Sequence, residues 1–157
     1  MTPAIKTAEK ARIVFTVHDY EHDTNADSYG LEAAAALGVD ETRVFKTLLV
    51  SLQGGTAPLA VGIVPVESQL DLKAFAAVAG AKKASMADPK QAERVTGYVV
   101  GGISPLGQKK SLPTIIDTSA TEFDTVYVSA GRRGLEIELA PNDLQALCRA
   151  TLANIKR

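Results

Sequence analysis

The chain has 157 residues, 46% of them hydrophobic and 22% charged, with 17 Lys plus Arg against 18 Asp plus Glu. That length suits one domain, 1–157, around one core, and the balanced charge excludes the strongly basic profile of a protein that grips nucleic acid unaided. The single cysteine, Cys148, excludes an internal disulfide or a thiolate metal cluster; no apolar run nears the roughly 18 residues of a membrane span, and the start Met1-Thr2-Pro3-Ala4-Ile5-Lys6 lacks a signal-type core, so a cytoplasmic location is expected.

Thr2-Pro3 offers a hydroxyl cap and then a first-turn proline, which predicts a short helix over Pro3–Ala11. Ile13 to Tyr20 predicts a strand with Ile13, Phe15 and Val17 on one face. The polar run Glu21 to Ser28 predicts a loop that Gly30 ends. His18 and His22 are four apart, but one falls in a strand and the other in a loop, with no Glu after His18. Polar residues facing solvent are a better account of them than a zinc site. Leu31 to Leu37 is alanine-rich and predicts a helix that Gly38 stops.

After the loop Asp40-Glu41-Thr42-Arg43, residues Val44 to Leu52 predict a strand ended by Gly54-Gly55. Side chains alternate faces along a strand, so Lys46 shares one face with Val44, Leu48, Val50 and Leu52. Phe45, Thr47, Leu49 and Ser51 form the other. Large apolar residues on both faces predict a central strand. A lysine there must reach water or a bound anion, or lose its charge. The plain alternative is an inward-pointing edge lysine that discourages sheet pairing.

Leu59 to Val66 predicts the partner strand of a hairpin. Ser68 with Asp71 predicts the cap of a helix carrying Leu72, Phe75, Ala76 and Ala79 and ending at Gly80. Asp88-Pro89 opens a helix to about Val95. Thr96 to Lys110 starts as a strand and becomes a glycine-rich loop. Strands follow at Thr114–Asp117, Thr125–Ser129 and Leu135–Leu139, the last two joined by the turn Ala130-Gly131-Arg132-Arg133-Gly134. Pro141 opens a terminal helix with Leu144, Leu147 and Cys148 on its buried stripe, which makes Cys148 a core residue and not a nucleophile. The expected fold class is α+β: a mixed, largely antiparallel, partly closed, barrel-like sheet surrounded by helices.

Chemistry is restricted by what is missing. Gly102 to Lys109 superficially matches a phosphate-binding loop, but Gln108 stands where its lysine should be and no helix follows. An NTPase is excluded on that ground. Gly101 and Gly102 can still bring backbone N–H groups close to an oxyanion, a plain hairpin connection being the alternative. There is no Gly-x-Ser-x-Gly, and neither histidine is placed for a triad. A hydrolase of this sequence would use water or part of its substrate as nucleophile. The pairs Lys82-Lys83, Lys109-Lys110 and Arg132-Arg133 lie beside glycine turns, as solvated surface or as a rim for phosphates.

Three stretches carry a resemblance: Phe45-Lys46-Thr47-Leu48, the run from Thr96 through Gly101-Gly102 to Lys110, and Val126 to Gly134. Together, in this order, they resemble the YbaK/EbsC family of bacterial Cys-tRNA(Pro) deacylases, relatives of the editing domain in prolyl-tRNA synthetases, over essentially the whole chain. The resemblance implies that fold and deacylation in trans of cysteine mischarged onto tRNA(Pro). It implies the tRNA(Pro) acceptor end and prolyl-tRNA synthetase as partners, with no cofactor, metal or membrane. It places the essential lysine at Lys46 and other pocket positions at Tyr20, Tyr29, Thr47, Gly101, Ser129 and Glu136, with Gly102 beside Gly101. The implied chemistry has Lys46 holding the phosphate or ribose end, N–H groups around Gly101 meeting the oxyanion, and the substrate's own thiol attacking its ester. An Ala-tRNA(Pro) deacylase and a non-catalytic acceptor-stem or nucleotide-binding module remain as alternatives.

Overall fold

The computed structural model describes residues 1–22 and 28–157. Part of the predicted 21–28 loop therefore lies outside the described residues. Two sheets carry the fold. A three-stranded antiparallel sheet has the order β1-β7-β6, with β1 Phe15–Asp19, β6 Val126–Arg132 and β7 Leu135–Leu139. A five-stranded sheet has the order β4-β2-β3-β5-β8, with β2 Phe45–Gln53, β3 Leu59–Pro65, β4 Lys83–Met86, β5 Thr114–Asp117 and β8 Thr151–Ala153. The β2–β3 hairpin and the β2–β4 pair are antiparallel, whereas β3–β5 and β5–β8 are parallel. The mixed α+β class holds. In place of one partly closed sheet there are two, linked by an isolated parallel bridge between Val44 and Tyr127.

Helices α1 Pro3–Ala11, α2 Tyr29–Leu37, α3 Leu72–Ala79, α4 Pro89–Thr96 and α5 Pro141–Cys148 pack against these sheets. Thr2 caps α1, Ser28 caps α2 and Asp88 caps α4, each by accepting a first-turn N–H. The cap of α3 is Asp71, whose Oδ1 accepts from the Ala74 N–H at 3.0 Å. Ser68, expected in that role, is buried and donates to Glu67. Helix α2 begins two residues earlier than periodicity indicates. Gly30 is part of it because a Cβ there would lie 2.2 Å from Val66 Cγ1, so only glycine lets the helix approach.

Both faces of β2 are packed. Phe45 and Leu49 join a core between the sheets with Ile63, Val128, Ile137 and, from α1, Ala4 and Ala8. Val50 and Leu52 join a second core with Phe75 of α3 and Ile115. A third, smaller cluster seats α2: Ala33 and Ala34 lie on Val44, Val66 and Tyr127.

Sequence periodicity misses three features. Strands β4 and β8 have four and three residues, too few for an alternation to register. Tyr98 to Val100 is a turn instead of a strand, because Tyr98 drops inward and its hydroxyl donates to the Leu106 carbonyl at 2.7 Å. Strand β1 is shorter than expected, and Val17, placed on its apolar face, is exposed.

Asp117 fastens the C-terminal strand. It is buried; Oδ1 accepts from the N–H groups of Ile155 and Lys156 at 3.0 and 3.1 Å, and Oδ2 from Ser119 N–H at 3.1 Å. Asp117→Asn replaces one acceptor with a donor facing a donor. The expected loss is about 1–2 kcal/mol of unfolding free energy in urea melts, with faster amide exchange at Ile155.

Candidate active site

The site begins at a gap along β2. Val66 N–H donates to the Val44 carbonyl and Leu52 N–H to the Pro58 carbonyl. Even-numbered residues of β2 therefore direct their backbone groups to β3, and odd-numbered ones to the opposite edge. On that edge β4 pairs only with Val50–Gln53, and the last link before the gap is the Ala87 N–H on the Leu49 carbonyl. At the other end, Val44 bridges to Tyr127 of β6. Between them, the backbone N–H and C=O of Thr47 face open space.

That space is a cavity of about 400 Å³. Residues of both parities from Val44 to Leu49 line it, which places it along the strand's edge and not over one face. Opposite stand Gly101 and Ile103 of the glycine turn. Tyr20, Glu136 and Ser129 come from the outer face of the three-stranded sheet, Tyr29 from the start of α2, and Met86 and Ala87 from the end of β4. Lys46, Thr47, Tyr20, Tyr29, Gly101, Ser129 and Glu136 are thus brought together from four elements and the segments that join them.

Gly102 does not line this cavity. It stands behind the wall, its carbonyl accepting from Ser129 Oγ at 3.0 Å, while Ser129 Oγ accepts from Gly131 N–H at 3.1 Å. The Ser129–Gly102 bond helps to fix the turn. Gly101 has φ +97°, and a Cβ on it would sit 3.2 Å from the Tyr29 ring. The ring of Tyr29 in turn carries the Arg133 guanidinium 4.5 Å from its centroid, and Arg133 binds both carboxylate oxygens of Glu32 at 3.1 Å. One wall of the cavity is therefore clamped by a fork-to-fork ion pair.

Three polar groups at the cavity are held away from their usual state. Lys46 is half-buried, and desolvation lowers its pKa, opposed by the more distant Glu67 carboxylate. No hydrogen bond or ion pair of its amine is found among the described residues. Thr47 Oγ1 is fully buried and has no hydrogen-bond partner among the described residues. Such a group in a native fold calls for a ligand or water. Glu136 is buried, and desolvation pushes its carboxyl up to about 8. At neutral pH it stands mostly as a neutral acid, able to donate.

Because the folded pKa of Glu136 lies above its ordinary 4.5, the folded state binds the extra proton more tightly. Its stabilising contribution is full below pH 4.5 and is lost as pH rises to about 8. Each pH unit inside that window removes up to about 1.4 kcal/mol. Glu136→Gln is expected to flatten the urea-melt stability of the protein between those limits and to exceed the parent at pH 8.

The remaining candidates fall elsewhere. His18 Nε2 lies 2.9 Å from Glu138 Oε1, a polar pair on the sheet's outer face that Thr125 and Arg43 extend. No group of three metal-ligating side chains occurs among the described residues. Burial pushes the Cys148 thiol up to about 12, and its Sγ contacts the Pro105 carbonyl, which suits a packing role. Of the three basic pairs, Arg132-Arg133 alone borders the glycine turn's hollows. Met86 and Ala87 escaped sequence reasoning, since β4 carries no legible pattern. No described helix is long and apolar enough to cross a membrane.

Comparison with known proteins points one way. The pattern defining the aminoacyl-tRNA editing domain matches residues 24–147. A protein of Enterococcus faecalis named as a Cys-tRNA(Pro)/Cys-tRNA(Cys) deacylase, EbsC, is 37% identical over 155 residues, covering 98% of this chain and 92% of its own. ProXp-y of Escherichia coli K12, named as a multifunctional Ser/Thr-tRNA deacylase, is 28% identical over 114 residues, 71% of this chain and 68% of its own. A crystal structure described as a trans-editing enzyme for prolyl tRNA synthetase superposes with a TM-score of 0.84, over 100% of this chain and 99% of that one. At 23% identity that superposition speaks for the fold.

Proposed function

Since the chain belongs to the aminoacyl-tRNA editing domain family, we propose that it is an aminoacyl-tRNA deacylase that removes cysteine mischarged onto tRNA(Pro). The observation that carries the reading is the convergence of a partly desolvated amine, a buried hydroxyl without a partner and a glycine-turn backbone on one cavity. Among the described residues, the same cavity offers no histidine, cysteine or activated serine to serve as a protein nucleophile.

In this reading Lys46 holds the phosphate or ribose end of the acceptor terminus and fixes the ester carbonyl. The backbone around Gly101 meets the oxyanion that develops on that carbonyl. The cysteinyl sulfur then attacks its own carbonyl carbon. A C–S bond forms, the ester C–O bond breaks, and the thiol proton passes to the departing ribose oxygen. Water later opens the released thiolactone. Tyr20, Tyr29, Thr47, Ser129 and Glu136 orient the aminoacyl group. Prolyl-tRNA synthetase would supply the RNA grip that a net charge of −1 denies the chain itself, in the cytoplasm, where charged tRNA is used.

Deacylation of Cys-, Ala- and Ser-tRNA(Pro) by the purified protein tests this. Cysteine should be released at least tenfold faster than either. Equal release of alanine, which has no heteroatom to attack with, would overturn substrate-assisted cleavage.

A further inference from the structure

A second hollow of about 290 Å³ lies on the other side of the glycine turn. Its lining includes Val99, Gly102, Gly131 and Arg132, and it shares Val100 with the first cavity. Glycine lets its walls approach closely: a Cβ at Gly102 would lie 2.5 Å from Arg132 Cα, and one at Gly131 would meet Thr2 and Tyr98.

The ridge between the hollows is unusually apolar for a surface turn. Val99 is 72% exposed and Val100 44%, and across the first cavity's mouth Tyr29 is 40% exposed. Singly such residues mean little, but grouped at a cavity rim they mark a contact surface. The two arginines beside it differ. Arg133 is committed to Glu32 and to the Tyr29 face. The side chain of Arg132 is 66% exposed, and its carboxylate neighbour, Asp19, is 80% exposed at 3.9 Å. Water screens that pair, and it holds the guanidinium weakly. A cation in a groove next to an apolar and aromatic rim matches an anion that carries flat apolar faces. A single-stranded nucleotide has both, phosphate for arginine and base for the rim.

We propose that this groove holds the phosphodiester that precedes the terminal nucleotide of an RNA 3′ strand, with Arg132 as its cation and the Val99–Val100 ridge beneath the adjoining base. The proposal rests on the reading that the first cavity takes the aminoacylated terminal ribose. The strand then crosses the glycine turn, and the turn sets the distance between ester and phosphate. This also gives a near-neutral protein a local phosphate contact where general basicity is absent.

Kinetics on two substrates test it: cysteinyl-tRNA(Pro), and the 3′-cysteinyl ester of adenosine, which has no preceding phosphodiester. For Arg132→Ala the expected result is a five- to tenfold rise in KM on the tRNA ester with kcat within twofold, a larger rise for Arg132→Glu, and a salt dependence of log kcat/KM shallower by about 0.7, as for one lost single-strand phosphate contact. The loss should be confined to the longer substrate. An equal loss on both esters would overturn the proposal, by placing Arg132 with the first cavity. So would no loss on either, which would leave the groove to a protein partner. Should the parent cleave neither ester, the proposed activity fails separately. The groove is then read by binding of a short RNA ending in CCA, and equal affinity of parent and Arg132→Ala would overturn it.

Discussion

Replacing Lys46 with methionine is expected to lower kcat/KM on the cysteinyl ester by about 100-fold or more while leaving the folded protein at least as stable as the parent. The first half follows from the role of a preorganised charge in a partly dry cavity, whose removal typically costs about 10²–10³ in rate. The second follows from the environment of the amine. Lys46 lies opposite Val64 in the β2–β3 ladder and shares a face with Leu48, Val50 and Leu52, whose packing excludes water. Desolvation depresses its folded pKa below 10.5. Below the depressed value the amine is charged in both states and the folded state bears the whole penalty. Between that value and 10.5 the penalty fades, so the parent's stability relative to the variant climbs with alkaline pH. Methionine keeps most of the side chain's length and removes the charge. Urea melts at pH 7 and pH 10, beside single-turnover deacylation, read both halves. Activity within threefold of the parent would detach Lys46 from the chemistry.

Gly102→Ala should be the most damaging small substitution near the site. Its Cβ would fall 2.5 Å from Arg132 Cα and 2.8 Å from both Arg132 C and Arg133 N. These are backbone atoms in a hydrogen-bonded turn and cannot swing aside as a side chain can. The expected loss is about 3 kcal/mol, the upper range of overpacking. Activity should fall at least tenfold, because the Ser129–Gly102 bond and the Gly101 wall must move together. Gly38→Ala is the natural comparison. Gly38 has a positive φ, +68°, which Gly102 does not, and a Cβ there meets nothing within 4 Å. About 1 kcal/mol of backbone strain is all that is expected. Thermal melts that gave the two variants equal losses would show that the close approach of two turns does not decide Gly102.

The difference between these glycines marks how far the sequence could be read. Both stand out as helix stops or turn residues, and Gly38 is a helix stop. Nothing in the run Val99-Val100-Gly101-Gly102 tells that Gly101 borders a cavity while Gly102 is wedged against the Arg132 backbone. The same holds for β2. Its apolar alternation marks a packed strand, and the structure pairs Val50 and Ser51 on both edges. Its first half has β3 alone, because β4 ends at Met86 and β6 diverges after the Val44–Tyr127 bridge. That divergence makes the cavity and exposes the Thr47 backbone, and no local pattern encodes it.

Local chemistry alone determined where α1 begins, that Gly38 and Gly80 end helices, that β2 and β3 form a hairpin, and that a lysine sits inside an apolar strand. Each depends on contacts within a few residues. Tertiary structure decided that Lys46 faces a gap, that Glu136, more than 80 positions along the chain, shares it, and that Gly102 supports the wall from behind. Those facts depend on where two sheets part, which is set by packing between Phe45, Val128 and Ile137 across the core and by α2 on Tyr127. Burial, the largest cause of the Lys46 and Glu136 shifts, exists only once the chain has closed around them.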